Sequence, residues 1–137
     1  MPMFNILDAS SSAMHAQTVR LNTVASNLSN ADSISSTAEG AYKPKHPVFA
    51  ALLSDASNKH SAAGVTVSGI VESEAPPIVR YEPNHPLADE QGNIYSPNIN
   101  TIEEMTNMMS ASRSYQNNVE VFNTTKQLLL ATLNMGR

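Results

Sequence analysis

The 137-residue chain has no cysteine and no tryptophan, and only 15% of its residues are charged. Without cysteine, disulfides and thiolate metal sites are excluded, and the redox compartment cannot be read from bridges. The charged fraction falls short of the roughly 25% of an ordinary globular domain. Ser, Asn, Thr and Ala fill the deficit, giving a surface rich in amides and hydroxyls that suits contact more than solubility. Glycine is scarce, five residues in all, and no P-loop, GxGxxG or GxSxG pattern occurs, which argues against a phosphate cradle or a nucleophile elbow. A net charge of -4 and a pI near 5.4 supply no basic stripe for phosphates, so nucleic acid is not an expected partner. No run approaches the roughly 20 apolar residues of a spanning helix. The start, MPMFNILDASSSAMH, lacks the basic region and apolar stretch of a cleaved Sec-type signal. The chain is therefore expected to be cytosolic or exported by a route that leaves its N-terminus intact.

What is present is enough for one domain with a thin core. Leu, Ile, Val and Phe make up about a fifth of the residues, close to the level of roughly 20% at which folding alone becomes difficult. Over residues 4–30, Leu7, Met14, Leu21 and Leu28 recur every seventh position with Val24 beside them, which predicts a helix with one apolar stripe. The rest of that segment is small and polar. The sequence PNINTIEEM predicts a second helix start, with Asn100 or Thr101 as the cap and Glu103 or Glu104 as the reciprocal partner of a capping box. Seam positions follow at Met105, Met108, Tyr115, Val119, Phe122, Leu129 and Leu133, with Ser112 and Lys126 interrupting the heptad. With no glycine or proline before Gly136, the helix is predicted over about 101–134, roughly 50 Å long at 1.5 Å per residue.

Between the helices the signals are those of turns and strands. Residues 54–64 are polar and unpatterned, predicting a loop. Val65, Val67 and Val71 predict one strand and Ile78 to Tyr81 a second, joined through ESEAPP as a hairpin. AYKPKHPVF is extended, but Pro44 and Pro47 cannot donate to a ladder and restrict it to an edge or a bound arm. Gln91-Gly92-Asn93 predicts a turn before Ile94 and Tyr95. The expected fold is mainly α with a small β-rich middle. Residues 1–34 and 99–137 form a coiled-coil-like pair of terminal helices, and residues 35–98 an irregular insertion. Two such helices alone bury too little apolar surface to offset an ordering cost of about 1 to 2 kcal/mol per residue, so something else must cover them.

Chemistry is not visible. His15, His46, His60 and His85 are scattered and lack HExxH or paired spacing. Asp89 and Glu90 lie near His85, but on a turn-rich segment flanked by Pro83 and Pro86 a solvated loop is the better reading. No catalytic residue, metal, cofactor or small-molecule substrate is expected. Met105, Met108 and Met109 could line an adaptable groove, although Met at helical spacing is more often plain packing.

LNTVASNLSNADS near the N-terminus resembles the signature of flagellar axial proteins, the rod and hook family. The stretches GVTVSGIVESEAPPIVRYEPNHPLADEQGNIYSPNINTIEEM and MSASRSYQNNVEVFNTTKQLLLATL extend that resemblance from about residue 3 to the C-terminus, with 35–62 the weakest match. The resemblance implies a structural subunit of the flagellar basal-body rod, polymerising helically through its terminal helices around an export channel. It implies partners among other copies of itself, the rod proteins FlgB, FlgF and FlgG, the adaptor FliE and the flagellar type III export apparatus, with a place in the periplasm. In that setting Asn27, Ser29, Asn30, Asp32 and Ser33 would stop the first helix, and in a polymer their short amides and hydroxyls could serve a neighbour's backbone. The rival expectation is a helical adaptor or secretion-chaperone-like module whose long seam holds a partner helix.

Overall fold

The computed structural model describes residues 2–52 and 64–136. Its elements are α1 (Pro2–Ser29), β1 (Lys45–Leu52), β2 (Gly64–Glu72), β3 (Ile78–Tyr81), β4 (Asn93–Ser96) and α2 (Thr101–Met135). The two long terminal helices thus bracket a β-rich middle, as the sequence predicts. The predicted loop lies outside the described residues except for Gly64, which opens β2.

Proline at the first position of α1 suits a helix start, where its missing N–H would have had no intrahelical partner. The helix stops in the polar cluster. Asn30 Nδ2 donates to the Ser26 carbonyl and Ser33 Oγ to the Asn30 carbonyl, each beside a backbone amide on the same oxygen, so side chains reinforce the last turn where the regular ladder ends. At the start of α2 the cap is Asn100, whose side chain accepts from the amides of Ile102 and Glu103. Glu103 and Glu104 occupy the first turn, where the helix dipole favours anions. The side chain of Glu104 turns away from the cap, toward α1.

The helices run antiparallel, because Asn27 meets Glu104 while Arg20 meets Asn107. At 1.5 Å per residue α1 is about 42 Å long and α2 about 52 Å. The start of α1 and the end of α2 therefore lie at one end of the pair, and residues 130–135 of α2 are exposed throughout. Among the described elements α1 is central: it packs against α2 and against both β1 and β2, whereas α2 packs on α1 alone.

The middle pairs differently from the predicted hairpin. β2 pairs antiparallel with β1, in register from Lys45 opposite Glu72 to Leu52 opposite Gly64, with an irregularity between Val48 and Phe49. β3 pairs instead with β4. ESEAPP does not reverse the chain because Pro76 and Pro77 fix φ, lack N–H donors and hold the residues before them extended. The reversal falls at the Gln91-Gly92 turn, where Gly92 has a φ of 81°, the left-handed region open to glycine. Pro47 sits in β1 opposite Ile70, and in a two-stranded ribbon each strand is an edge, so the missing donor is tolerated.

The core is small. Its buried hydrophobic residues, among those described, are Ala16, Val24, Ala41, Ile94 and Ala111, and beside them Ser10, Thr23, Asn27, Glu104 and Thr125 are buried polar residues. By contrast twenty large hydrophobic residues among those described are exposed, from Phe4 to Met135.

Candidate functional site

The most constrained point of the molecule is Asn27, which is fully buried. Its Oδ1 accepts from the Lys45 amide at 2.8 Å and from the Tyr42 hydroxyl at 3.0 Å. Its Nδ2 donates to the Lys45 carbonyl at 2.9 Å and to Glu104 Oε2 at 2.9 Å. The pair of bonds to Lys45 fixes which way the amide points, since the backbone N–H needs an acceptor and the carbonyl a donor. The side chain behaves as an extra peptide unit laid against the first residue of β1. Tyr42 is held in turn by Ser26, whose Oγ lies 3.1 Å from the tyrosine oxygen. One residue of α1 therefore ties together the segment leading into the ribbon, the ribbon itself and the first turn of α2.

Capacity decides what Asn27 can do. Two donors and two acceptor sites are all engaged within the chain, so nothing remains for a neighbour's backbone. The expectation that this amide serves an adjoining subunit does not hold here, because burial forces its bonds to be made internally. Asn30 is different: it is half-buried and its amide bonds back to its own helix.

The helix seam is also displaced from the predicted one. Met108, Phe122 and Leu129 are half-buried on α2, as a seam requires, but Met105 and Leu133 are 54% and 64% exposed, and Tyr115 is also exposed. The buried residues of α2 are Glu104, Ala111 and Thr125, with half-buried Asn118 continuing the same seven-residue spacing. One row of the seam is therefore exchanged, Met105–Ser112–Val119 for Glu104–Ala111–Asn118–Thr125, while Met108, Phe122 and Leu129 stay in it. The centre of the face toward α1 thus turns by about half of the roughly 100° that separates successive residues. Small side chains allow the backbones to approach, and a larger apolar row there would hold them apart. Val119 is half-buried on the flank. On α1, Leu7, Met14, Leu21 and Leu28 are half-buried and Val24 is buried.

What the displacement leaves outside is apolar. Ile102, Met105 and Met109 are exposed near the start of α2, and Val121, Leu128, Leu130, Leu133 and Met135 toward its end, where Phe4 and Ile6 of α1 are exposed as well. Exposed apolar side chains become a contact site where they adjoin.

The insertion contains its own closed turn. Asp89 Oδ1 accepts from the amides of Gln91 and Asn93, both at 2.8 Å, and Oδ2 from the Tyr95 hydroxyl at 3.2 Å. These donors, the Asn93 amide foremost, hold the Asp89 carboxyl below its ordinary 3.8 although partial burial opposes them. The Tyr95 hydroxyl is raised above 10.0, first by its bond to Asp89, then by burial and the carboxylate's charge. This carboxylate is a turn-former. His85 likewise accepts the Leu87 amide on Nδ1. Among the described residues no group of three or more His, Asp or Glu is placed to hold a metal ion, and no helix is long and apolar enough to cross a membrane.

Sequence reasoning missed Tyr42, Lys45, Ala111 and Thr125, and it assigned Glu104 to a cap. A signal was available: Glu104, Ala111, Asn118 and Thr125 repeat at seven as regularly as the apolar row beside them. It carried no weight because the residues are small or polar.

Comparison with known proteins agrees with this architecture. Residues 7–33 match the family described as flagella basal body rod protein, and residues 90–135 match the flagellar basal body rod FlgEFG protein C-terminal family. These two stretches hold α1 with its polar terminus, and β4 with α2. The chain is 46% identical over 137 residues, 100% of both chains, to the flagellar basal-body rod protein FlgC of Salmonella typhimurium. It is 40% identical over 134 residues, 96% of both chains, to FlgC of Aquifex aeolicus, and 38% identical over 139 residues, 99% of both, to FlgC of Buchnera aphidicola. The names are those of rod components and not of enzymes. With identity of this extent along its whole length, the chain belongs to the family of structural rod proteins of the bacterial flagellar basal body.

Proposed function

We propose that this chain is a rod subunit that polymerises helically through the exposed faces of its two terminal helices, forming part of a shaft that transmits motor torque and encloses the export channel. The observation that carries the reading is the apolar surface left on α2 once α1 has taken the Glu104–Ala111–Asn118–Thr125 face. Met105 and Leu133 belong to the row that α1 does not cover, and with the flanking Val119 they present a second seam beside the first. A helix with two adjacent seams can pair with two helices, one from its own chain and one from a neighbour. Contacts of that head-to-tail kind generate a helical filament when the rotation between copies does not close.

Within this reading Leu7, Met14, Leu21, Val24, Leu28, Met108, Tyr115, Phe122 and Leu129 pack the subunit and border its interface. Asn30, at the redirected end of α1, lies at the rim. The neighbours would be other copies and the rod proteins FlgB, FlgF and FlgG, with FliE at the base. The export apparatus would deliver the chain to the periplasm without removal of a signal peptide. The long helices, each interdigitated with several others, would share shear along the shaft, since close-packed interiors are poorly compressible and transmit strain.

The test is the double substitution Met105→Asp with Leu133→Asp. Both residues are exposed, so circular dichroism and melting of the purified chain should change little, by about 0.5 kcal/mol or less. Purified basal bodies from cells carrying the variant should lack a complete rod, and motility should be lost. Normal rods and swimming with this variant would overturn the proposal.

A further inference from the structure

The backbones of the ribbon β1–β2 and of helix α2 are not in contact; each packs on α1, and side chains of β1 and α2, Phe49 and Asn107 among them, line a common cleft. Yet both are hydrogen-bonded to a single side chain. Asn27 holds the backbone of Lys45, the first residue of β1, with one donor and one acceptor, and holds the Glu104 carboxylate of α2 with its remaining donor. We propose that Asn27 couples the ribbon to the first turn of α2, so that loosening either one loosens the other, although the backbones of the two elements do not meet.

The physical argument rests on rigidity and capacity. An amide with all of its hydrogen-bonding positions engaged and its side chain fully buried has no alternative orientation: rotating it would place donors against donors at Lys45. If Glu104 is withdrawn, Nδ2 loses one of its two partners, and the amide is free to trade its Lys45 bonds for a compromise geometry. If the Lys45 side of the network is weakened, the Glu104 carboxylate, itself buried, loses the donor that holds it there. Coupling of this kind is reciprocal by thermodynamic necessity. The β3–β4 hairpin stands outside it, because it packs on neither helix and is tied to the rest by the bridge between Ser35 and Tyr95. The inference does not depend on the rod reading. If that reading holds, load passing between the helix pair and the insertion crosses this amide.

The experiment is hydrogen–deuterium exchange, read by mass spectrometry on the full-length chain. Glu104→Ala should accelerate exchange about tenfold in residues 45–52 and 64–72 as well as in the first turn of α2, while leaving 78–96 near its unaltered rate. Glu104→Gln, which keeps an acceptor for Nδ2, should restore most of the ribbon's protection. Asn107→Ala breaks a different inter-helix hydrogen bond, from Arg20 Nη2 at 3.0 Å, and should loosen the helices but not the ribbon. A second variant works from the opposite side and threatens the fold less. Tyr42→Phe removes one of the two donors to Asn27 Oδ1 and should speed exchange in the first turn of α2, to which Tyr42 makes no bond.

Three results would overturn the proposal. One is a ribbon unchanged in Glu104→Ala while α2 loosens, or loosened as much by Asn107→Ala. Another is acceleration spread evenly over the chain, which is general destabilisation. The third is a first turn of α2 that is indifferent to Tyr42→Phe, and this arm decides the matter alone if Glu104→Ala does not fold.

Discussion

The two ends of the helix pair are built on opposite chemistry. At one end α1 finishes and α2 begins around a polar, bonded network: Asn27 and Glu104 are buried, Tyr42 and the backbone of Lys45 complete their bonds, and Asn100 caps the helix, with Ile102 and Met105 exposed on its outer face. At the other end α1 begins and α2 finishes, and Phe4, Ile6, Leu128, Leu130, Leu133 and Met135 stand exposed. Directional bonds fix geometry but tolerate no missing partner, whereas apolar surface accepts any complementary face. The closed end fixes how the helices and the ribbon meet, and the open end carries the apolar surface that the proposed assembly would cover.

The largest test of this contrast is Asn27→Leu. It is close to the native side chain in size but removes all four bonds and leaves Lys45, Tyr42 and Glu104 without that partner. A loss of about 3 to 5 kcal/mol is expected, read by urea unfolding. The double replacement of Asn27 and Asn30 by Lys, which the sequence alone would take as a lesion in assembly, should therefore act mainly through the subunit's fold. Its Asn30 component, tested alone, should change stability by only about 0.5 kcal/mol.

Two glycines sharpen the comparison. Gly92→Ala places a methyl group on a residue at φ 81°, 3.0 Å from the Tyr81 ring and 3.1 Å from the Pro83 side chain, and should cost about 1 to 2 kcal/mol. Gly136→Ala, at the open end, has φ -89° and no atom nearer than 3.7 Å to the new methyl, so its melting temperature should stay within about 1 °C. Asn100→Ala should cost about 1 kcal/mol through loss of the helix cap, with faster amide exchange at Ile102 and Glu103 as the local readout.

The smallest expected effect is a pH response confined to the insertion. The Asp89 carboxyl titrates below its ordinary 3.8 in the folded chain. Its contribution to stability is thus fully present above 3.8 and lost as pH falls below that value through the folded one. An NMR titration should show the Asp89 carboxyl carbon moving below 3.8, together with the Asn93 amide that bonds it. A titration at or above 3.8 would show that the turn does not hold the carboxylate.

Much of the architecture was legible because it rests on local rules. The polar run from Asn27 to Ser33, Asn100 before Thr101 and glycine at 92 each mark a boundary that the structure places within a residue or two. The partner of β2 was not legible. Strand pairing depends on which segment α1 can hold beside it, and Asn27 selects Lys45 from a distance of 18 residues. The seam of α2 was misplaced for a related reason: hydrophobic periodicity finds the apolar row, while the fold uses the row of small residues beside it.

By itself the sequence determined two long helices at the termini, a β-rich middle, a thin core and the absence of visible chemistry, because capping, periodicity and composition act over a few neighbouring residues. Only the tertiary structure decided which face of α2 turns inward, which strands pair and that Asn27 is spent within the chain. Those choices compare contacts between residues as far apart as 27 and 104, and the closest approach of two backbones favours the smallest side chains over the most apolar ones.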